Sequence, residues 1–250
     1  GAVAPGIIKS GFSFFLLIFY SQVVGLGAGY VGLAVTIALI FDAISDPIVG
    51  YWSDNLRSKW GRRHPFMYAA AIPGAVSYFF LWVPPADASQ LTLFWYVLVL
   101  AIIIRTVMTF YQTPNSALTP DLTSDYNERT SLYSLRYLVG WTVANILTVL
   151  MFVAVFPRFA NEEFEAGQFN PDAYVSFGLI GSMAIFTSIM VSALGTHSRI
   201  KHLNAPPPSR EMSLKLVFGE VFETLSNRSF FALFIAALFA AVATGLSHGL

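Results

Sequence analysis

The 250 residues predict an all-α membrane protein, and three observations carry that prediction. Hydrophobic residues make up 56% of the chain and charged residues 11%, where a soluble domain carries about 25% charge. Mean hydropathy is +0.63, so the chain lacks the polar surface needed to cover a water-soluble core. Its apolar residues fall into long stretches, each near the roughly 20 residues that a membrane-crossing helix requires.

Six complete spans are predicted, at approximately 7–26, 31–53, 66–84, 91–115, 131–156 and 173–195, with an incomplete one over 229–250. The first begins abruptly and the last still runs at Leu250, so the chain is expected to be a fragment of a longer one. The second span ends in Gly50-Tyr51-Trp52-Ser53-Asp54, and the third starts after Gly61-Arg62-Arg63. Trp82 and Trp95 fall near the ends of spans three and four, where aromatic belts anchor helices at the interface. The expected organisation is a six-helix bundle over 1–195, a cytoplasmic linker over 196–228, and the start of a further bundle over 229–250. In the linker, Pro206-Pro207-Pro208 cannot continue a helix. Leu214, Val217, Phe218, Val221 and Leu225 then recur at helical spacing, with Lys215, Glu220 and Glu223 between them, as in an amphipathic surface helix.

Loop charge sets orientation. Arg57, Lys59, Arg62 and Arg63 lie between spans two and three, Arg129 lies between four and five, and Arg199, Lys201, Arg210 and Lys215 follow span six. The intervening loops carry few basic residues. The basic loops and the N-terminus are therefore expected on the cytoplasmic side of the cytoplasmic membrane. Net charge is zero and Cys is absent. No basic tract with interleaved aromatics marks a nucleic-acid binder. No metal-ligand spacing, phosphate loop or nucleophile motif marks an enzyme or calls for a cofactor. His64, His197, His202 and His248 are scattered, and three of them are expected to be solvated in or beside loops.

The most informative stretch is Phe41-Asp42-Ala43-Ile44-Ser45-Asp46-Pro47. A carboxylate at membrane depth is expensive and by default a functional hypothesis. The i, i+4 spacing places Asp42 and Asp46 on one helix face, where two anions repel unless a positive partner joins them. A bound cation or proton is one such partner. A static ion pair with Arg105 or Arg136 is the alternative. Pro47 donates no hydrogen bond to the Ala43 carbonyl, leaving that oxygen free to face a cavity.

The pattern Gly50-x3-Asp54-x6-Gly61-Arg62-Arg63 resembles the signature loop of the major facilitator superfamily. In that reading Gly50 lets helices approach closely, while Asp54, Arg62 and Arg63 latch one conformation. The block Asp42 to Gly50, followed by Arg57-Ser58-Lys59-Trp60-Gly61-Arg62, is similar to the glycoside–pentoside–hexuronide:cation symporters, the melibiose permease family. Val23-Val24-Gly25-Leu26 and Pro114-Asn115-Ser116-Ala117-Leu118-Thr119-Pro120, with Asp125, Glu128-Arg129 and Arg136, extend the resemblance.

The resemblance implies the N-terminal half of a twelve-helix facilitator with two six-helix bundles and substrate bound between them. Carried over by position, it implies a cation site of Asp42, Ser45, Asp46 and Thr109, oxygen ligands that suit sodium. It places Arg136 beside the sugar, where an arginine fork donates to hydroxyls or holds carboxylates. Two family acids that hold sugar hydroxyls fall near Gly6 and at Gln112, and an aromatic platform falls at Ser116. Gln112, joined by Asn115, remains able to bond hydroxyls. The extra Arg105 and the missing acids favour a hexuronide or another anionic solute over a galactoside. The implied activity is sodium- or proton-coupled symport of a sugar, glycoside or uronate, needing a C-terminal bundle from the same chain and a lipid bilayer. The rival expectation is a non-transporting facilitator-fold protein: a sensor, assembly factor or lipid-handling partner.

Overall fold

The computed structural model describes residues 1–123, 125–202, 219, 223–224 and 226–249. The chain divides into two compact units, Gly1–Pro207 and Pro208–Leu250. The described residues are overwhelmingly helical. Most of the linker, with its amphipathic stretch, lies outside them, as do the side chains of His202 and His248.

The first unit holds six helices: α1 over Val3–Val23 and α2 over Ala28–Asn55, α3 over His64–Leu81, α4 over Gln90–Leu122, α5 over Tyr126–Phe159 and α6 over Pro171–Ile200. Five of these are long and apolar enough to cross a membrane. The exception is α3, whose 18 residues span about 27 Å at ~1.5 Å per residue. Its polar residues account for the difference. His64, Ser77 and Tyr78 are buried inside the bundle, and α3 stops at Leu81, three residues short of the predicted end.

Local chemistry fixes the starts. Ser89 accepts the Thr92 N–H ahead of α4, Asp125 accepts the Glu128 N–H ahead of α5, and Asn170 accepts the Asp172 N–H ahead of α6. Each side chain satisfies a donor that a helix start otherwise leaves open. Helix α4 runs seven residues beyond the predicted stop, through Pro114 and Pro120. The carbonyls around those prolines find other donors: Arg136 Nη1 reaches Asn115 O at 3.1 Å and Arg129 Nη2 reaches Pro120 O at 3.2 Å. Arg63 also donates to Ala117 O.

Packing follows the order α2 on α4, α4 on α3, α3 on α6, and α1 against α5 and α6. The α1–α5 crossing is close: a Cβ built on Gly6 would lie 2.4 Å from the Gly140 carbonyl oxygen. That leaves no room for a side chain at 6 without a backbone shift. Helix α1 contains two π-helical stretches, Gly11–Phe15 and Phe19–Val23. Gly11 meets α3, where an added Cβ would sit 2.5 Å from the Tyr78 hydroxyl.

One end of the bundle is an aromatic core. Phe19 and Tyr174 lie 4.6 Å apart between ring centroids, Trp82 and Phe177 4.7 Å, and Phe15 and Phe177 4.9 Å. Trp82 is fully buried there, which corrects the expectation of an interface anchor: its ring closes the contact between α1, α3 and α6. Trp95 remains exposed. The histidine expectation also changes. His64 is fully buried, with Nε2 2.9 Å from Thr196 Oγ1, and His197 Nδ1 lies 3.0 Å from the Tyr68 hydroxyl. In the second unit, α7 runs over Arg228–Gly249, with Asn227 accepting the Ser229 N–H at 3.0 Å.

Candidate functional site

A cleft of about 610 Å³ opens between α1, α2 and α4, lined by Lys9, Asp42, Asp46, Arg105, Thr109, Gln112, Ser116 and several apolar residues. The volume lies within the ~300–1,000 Å³ typical of small-molecule sites. The i, i+4 spacing on α2 brings both carboxylates to the α4 face that carries Arg105, Thr109, Gln112 and Ser116. On that face, residues three or four apart are neighbours.

At the centre is Thr109, 6% exposed. Its hydroxyl oxygen lies 2.7 Å from Asp46 Oδ1, 3.2 Å from Asp42 Oδ1 and 3.2 Å from the Arg105 carbonyl oxygen. A hydroxyl has one proton to donate. Three oxygen acceptors therefore share a single donor, and the cluster is short of positive charge. Part of the deficit is met by Arg105, which grips the other oxygen of Asp42: Nη2 and Nε lie 2.9 Å and 3.1 Å from Oδ2. Both side chains are mostly shielded, at 24% and 20% exposure. Asp46 has no arginine or lysine within ion-pair distance among the described residues.

The other predicted residues divide. Gln112 lines the cleft. Ser45 does not: it is buried, and its hydroxyl donates to the Asp42 carbonyl one turn back at 3.2 Å. Asn115 is 7% exposed and its amide reaches Gly1 O at 3.3 Å and Ser192 Oγ at 3.5 Å, inside the bundle. Arg136 is held on α4 rather than by the acids. It donates to Thr119 Oγ1 at 2.8 Å, Asn115 O at 3.1 Å and Ser116 Oγ at 3.2 Å, and so touches the cleft only through Ser116. Lys9 is the residue that sequence reasoning passed over. Its signal was a lone cation one turn inside the first apolar helix, on the side that faces α2 and α4.

A second polar cluster sits where the α2–α3 loop meets the end of α4. Arg63 Nη1 lies 2.5 Å from Asp121 Oδ2, Arg63 Nη2 lies 3.4 Å from Asp54 Oδ1, and Arg62 Nη2 lies 3.1 Å from Asp121 Oδ2. Burial pulls the Arg63 guanidinium below its ordinary pKa, and Asp121 and then Asp54 raise it again. Asp121 was not anticipated; the Thr-Pro-Asp ending of α4 was its signal. Gly61 has φ +75°, a left-handed turn that glycine adopts freely. At Gly50 a Cβ would meet Thr113 Cγ2 at 3.6 Å, an ordinary contact, so the backbone approach there does not itself require glycine.

The MFS/sugar transport protein family model matches residues 1–250. An uncharacterised symporter of Synechocystis is 37% identical over 171 residues, covering 66% of this chain and 31% of that protein. The inner membrane symporter YicJ of Escherichia coli is 27% identical over 214 residues, covering 85% of this chain and 44% of its own length. The putative glycoside/cation symporter YagG of Escherichia coli is 32% identical over 141 residues, covering 56% and 30%. The chain thus spans less than half the length of each. The match across all 250 residues, over a bundle of membrane helices with paired acids on the second, shows that this multi-pass membrane protein belongs to the MFS/sugar transport protein family, among its glycoside–pentoside–hexuronide:cation symporters.

Proposed function

We propose that this chain is the N-terminal part of a secondary active transporter that couples entry of a sugar, glycoside or uronate to a sodium ion or proton. Residues 1–195 form the first six-helix bundle, 196–228 a cytoplasmic linker, and 229–250 open a second bundle. The protein sits in the cytoplasmic membrane with its N-terminus inside. The names of the relatives, symporters and a putative glycoside/cation symporter, support the reading.

One observation carries it: oxygens of Asp42 and Asp46 converge on the single hydroxyl of Thr109. A cation or an added proton relieves the repulsion between them. With Asp42 already paired, Asp46 is the anion left for the coupling ion, with Thr109 Oγ1 beside it. Solute binds in the same cleft, with Gln112 donating to hydroxyls. Ser45 acts by shaping α2, and Arg136 by holding the α4 surface that carries Ser116. Gly61, Arg62, Arg63, Asp54 and Asp121 close the cytoplasmic end between turnovers.

The test is uptake by the full-length protein in proteoliposomes, using radiolabelled sugars and uronates with and without sodium or proton gradients. One gradient is expected to drive accumulation, and Asp46→Asn to reduce it to the gradient-free level. Uptake that ignores both gradients would sink the reading.

A further inference from the structure

The charge inventory of the cleft contains more than a cation site needs. Two carboxylates, Asp42 and Asp46, are matched by two cations, Arg105 and Lys9, all lining one cavity. If the acids served only to hold a coupling ion, a resident arginine on Asp42 would compete with that ion. Lys9 is exposed in the cleft and has no ion pair among the described residues. Lys9 is thus a cation lining the cleft with no anion of the described residues assigned to it, and it stands available to an anion that enters.

From these placements we infer that Arg105 is an exchangeable counter-ion. The anionic group of the solute, a carboxylate or a phosphate, binds between Lys9 and Arg105, draws the guanidinium off Asp42, and thereby frees Asp42 to join Asp46 and Thr109 around the coupling cation. This deepens the symport reading and rests on it. The exchange makes each ligand the condition for the other. Without the anion, Arg105 occupies the carboxylate that the cation needs. Without the cation, releasing Asp42 leaves two bare carboxylates repelling each other.

The chemistry of the two basic residues fits these roles. An arginine fork donates bidentately to a carboxylate, and a second carboxylate or a phosphate presents the same geometry. Transfer of the fork between them therefore keeps its hydrogen bonds. Lysine offers a point charge on a flexible stem and follows the solute without a fixed partner. Gln112, Thr113 and Ser116 on the same wall suit the hydroxyls of a small polyol. The preferred solute carries one anionic group on a hydroxylated body, and a neutral glycoside leaves Arg105 where it is. Reciprocal coupling of this kind amounts to about 5–150-fold in affinity.

The experiment uses the full-length protein in detergent or nanodiscs, measuring sodium binding, or proton uptake if protons drive transport. Measurements are made alone and with D-glucuronate, glucose 6-phosphate or methyl glucoside as probes. In the unmodified protein, glucuronate or the phosphate ester is expected to raise cation affinity about tenfold, while methyl glucoside leaves it unchanged. The two anionic probes separate carboxylate from phosphate. Arg105→Gln is expected to raise cation affinity about tenfold with no solute present and to abolish the further response to the anion. Arg105→Lys keeps the response at reduced size, and Lys9→Gln weakens anion binding about tenfold. A lowered or unchanged cation affinity in Arg105→Gln, in protein that remains monodisperse, overturns the inference, as does equal stimulation by methyl glucoside. If no cation dependence exists in any variant or probe, the symport reading itself fails. If coupling survives in Arg105→Gln unchanged, only the exchange fails.

Discussion

Thr109 presents one hydroxyl to two carboxylates, and its distances decide which of them it serves. At 2.7 Å from Asp46 and 3.2 Å from Asp42, the proton belongs to Asp46, and Asp42 depends on Arg105. Thr109→Val keeps the shape of the side chain and removes the hydroxyl. It is expected to weaken cation affinity about tenfold, the value of one hydrogen bond to a charged group, with little effect on folding. Sodium titration of uptake checks this, and an unchanged half-saturation would remove Thr109 from the site. Of these residues, the acids were legible in the sequence because two carboxylates one turn apart in an apolar helix are too costly to persist without a positive partner. The role of Ser45 was not, because a serine hydroxyl on a helix bonds its own backbone as readily as a ligand. Arg105 was legible only as a charge within an apolar helix: a single sequence shows the cation but not which acid it faces, and Lys9 was not singled out at all.

At the level of elements, the helices were legible from apolar length, and their ends less so. Helix α4 passes the expected stop with Arg63, Arg129 and Arg136 donating to carbonyls along its last turns, contacts that come from two other segments, the α2–α3 loop and α5. The π-helical stretches of α1 have no signal in hydropathy. The α1–α5 crossing does have one in glycine: Gly6 and Gly140 allow α1 and α5 to touch backbone to backbone, and small residues favour such approaches where lipid gives no hydrophobic force. Gly6→Ala is therefore expected to destabilise the bundle by roughly 1–3 kcal/mol, the usual penalty for overpacking, because the obstructing atom is a carbonyl oxygen of the backbone. Gly29, where an added Cβ meets nothing within 4 Å, is the control: Gly29→Ala leaves stability unchanged or slightly raised. Thermal denaturation in detergent separates the two. Equal transition temperatures would mean that α1 and α5 are not locked at this crossing.

At the scale of the whole first unit, the charged loop between α2 and α3 ties the ends of α2 and α4 together through Arg62 and Arg63. The sequence marks Asp54 as the acid of this latch, since it belongs to the resembling motif. The exposures assign the larger share to Asp121. Its side chain is 14% exposed and bonded to both Arg62 and Arg63, whereas Asp54 is 47% exposed and only 3.4 Å from Arg63. Breaking a shielded pair by removing one partner costs about 3–5 kcal/mol, while an exposed pair contributes about 0–1 kcal/mol. Since ~1.4 kcal/mol is tenfold in an equilibrium, Asp121→Asn is expected to raise amide hydrogen exchange across residues 56–63 by about a hundredfold or more. Asp54→Asn is expected to raise it less than about fivefold. Gly61, at positive φ, keeps the loop in register for both arginines and stays unchanged in the comparison. A larger effect from Asp54→Asn would place the latch on the motif acid after all. The predicted order instead means that α4, which carries Arg105 and Thr109 in the cleft, is also the helix whose far end the arginines hold. Release of Asp121 then frees the helix that presents both groups to the solute.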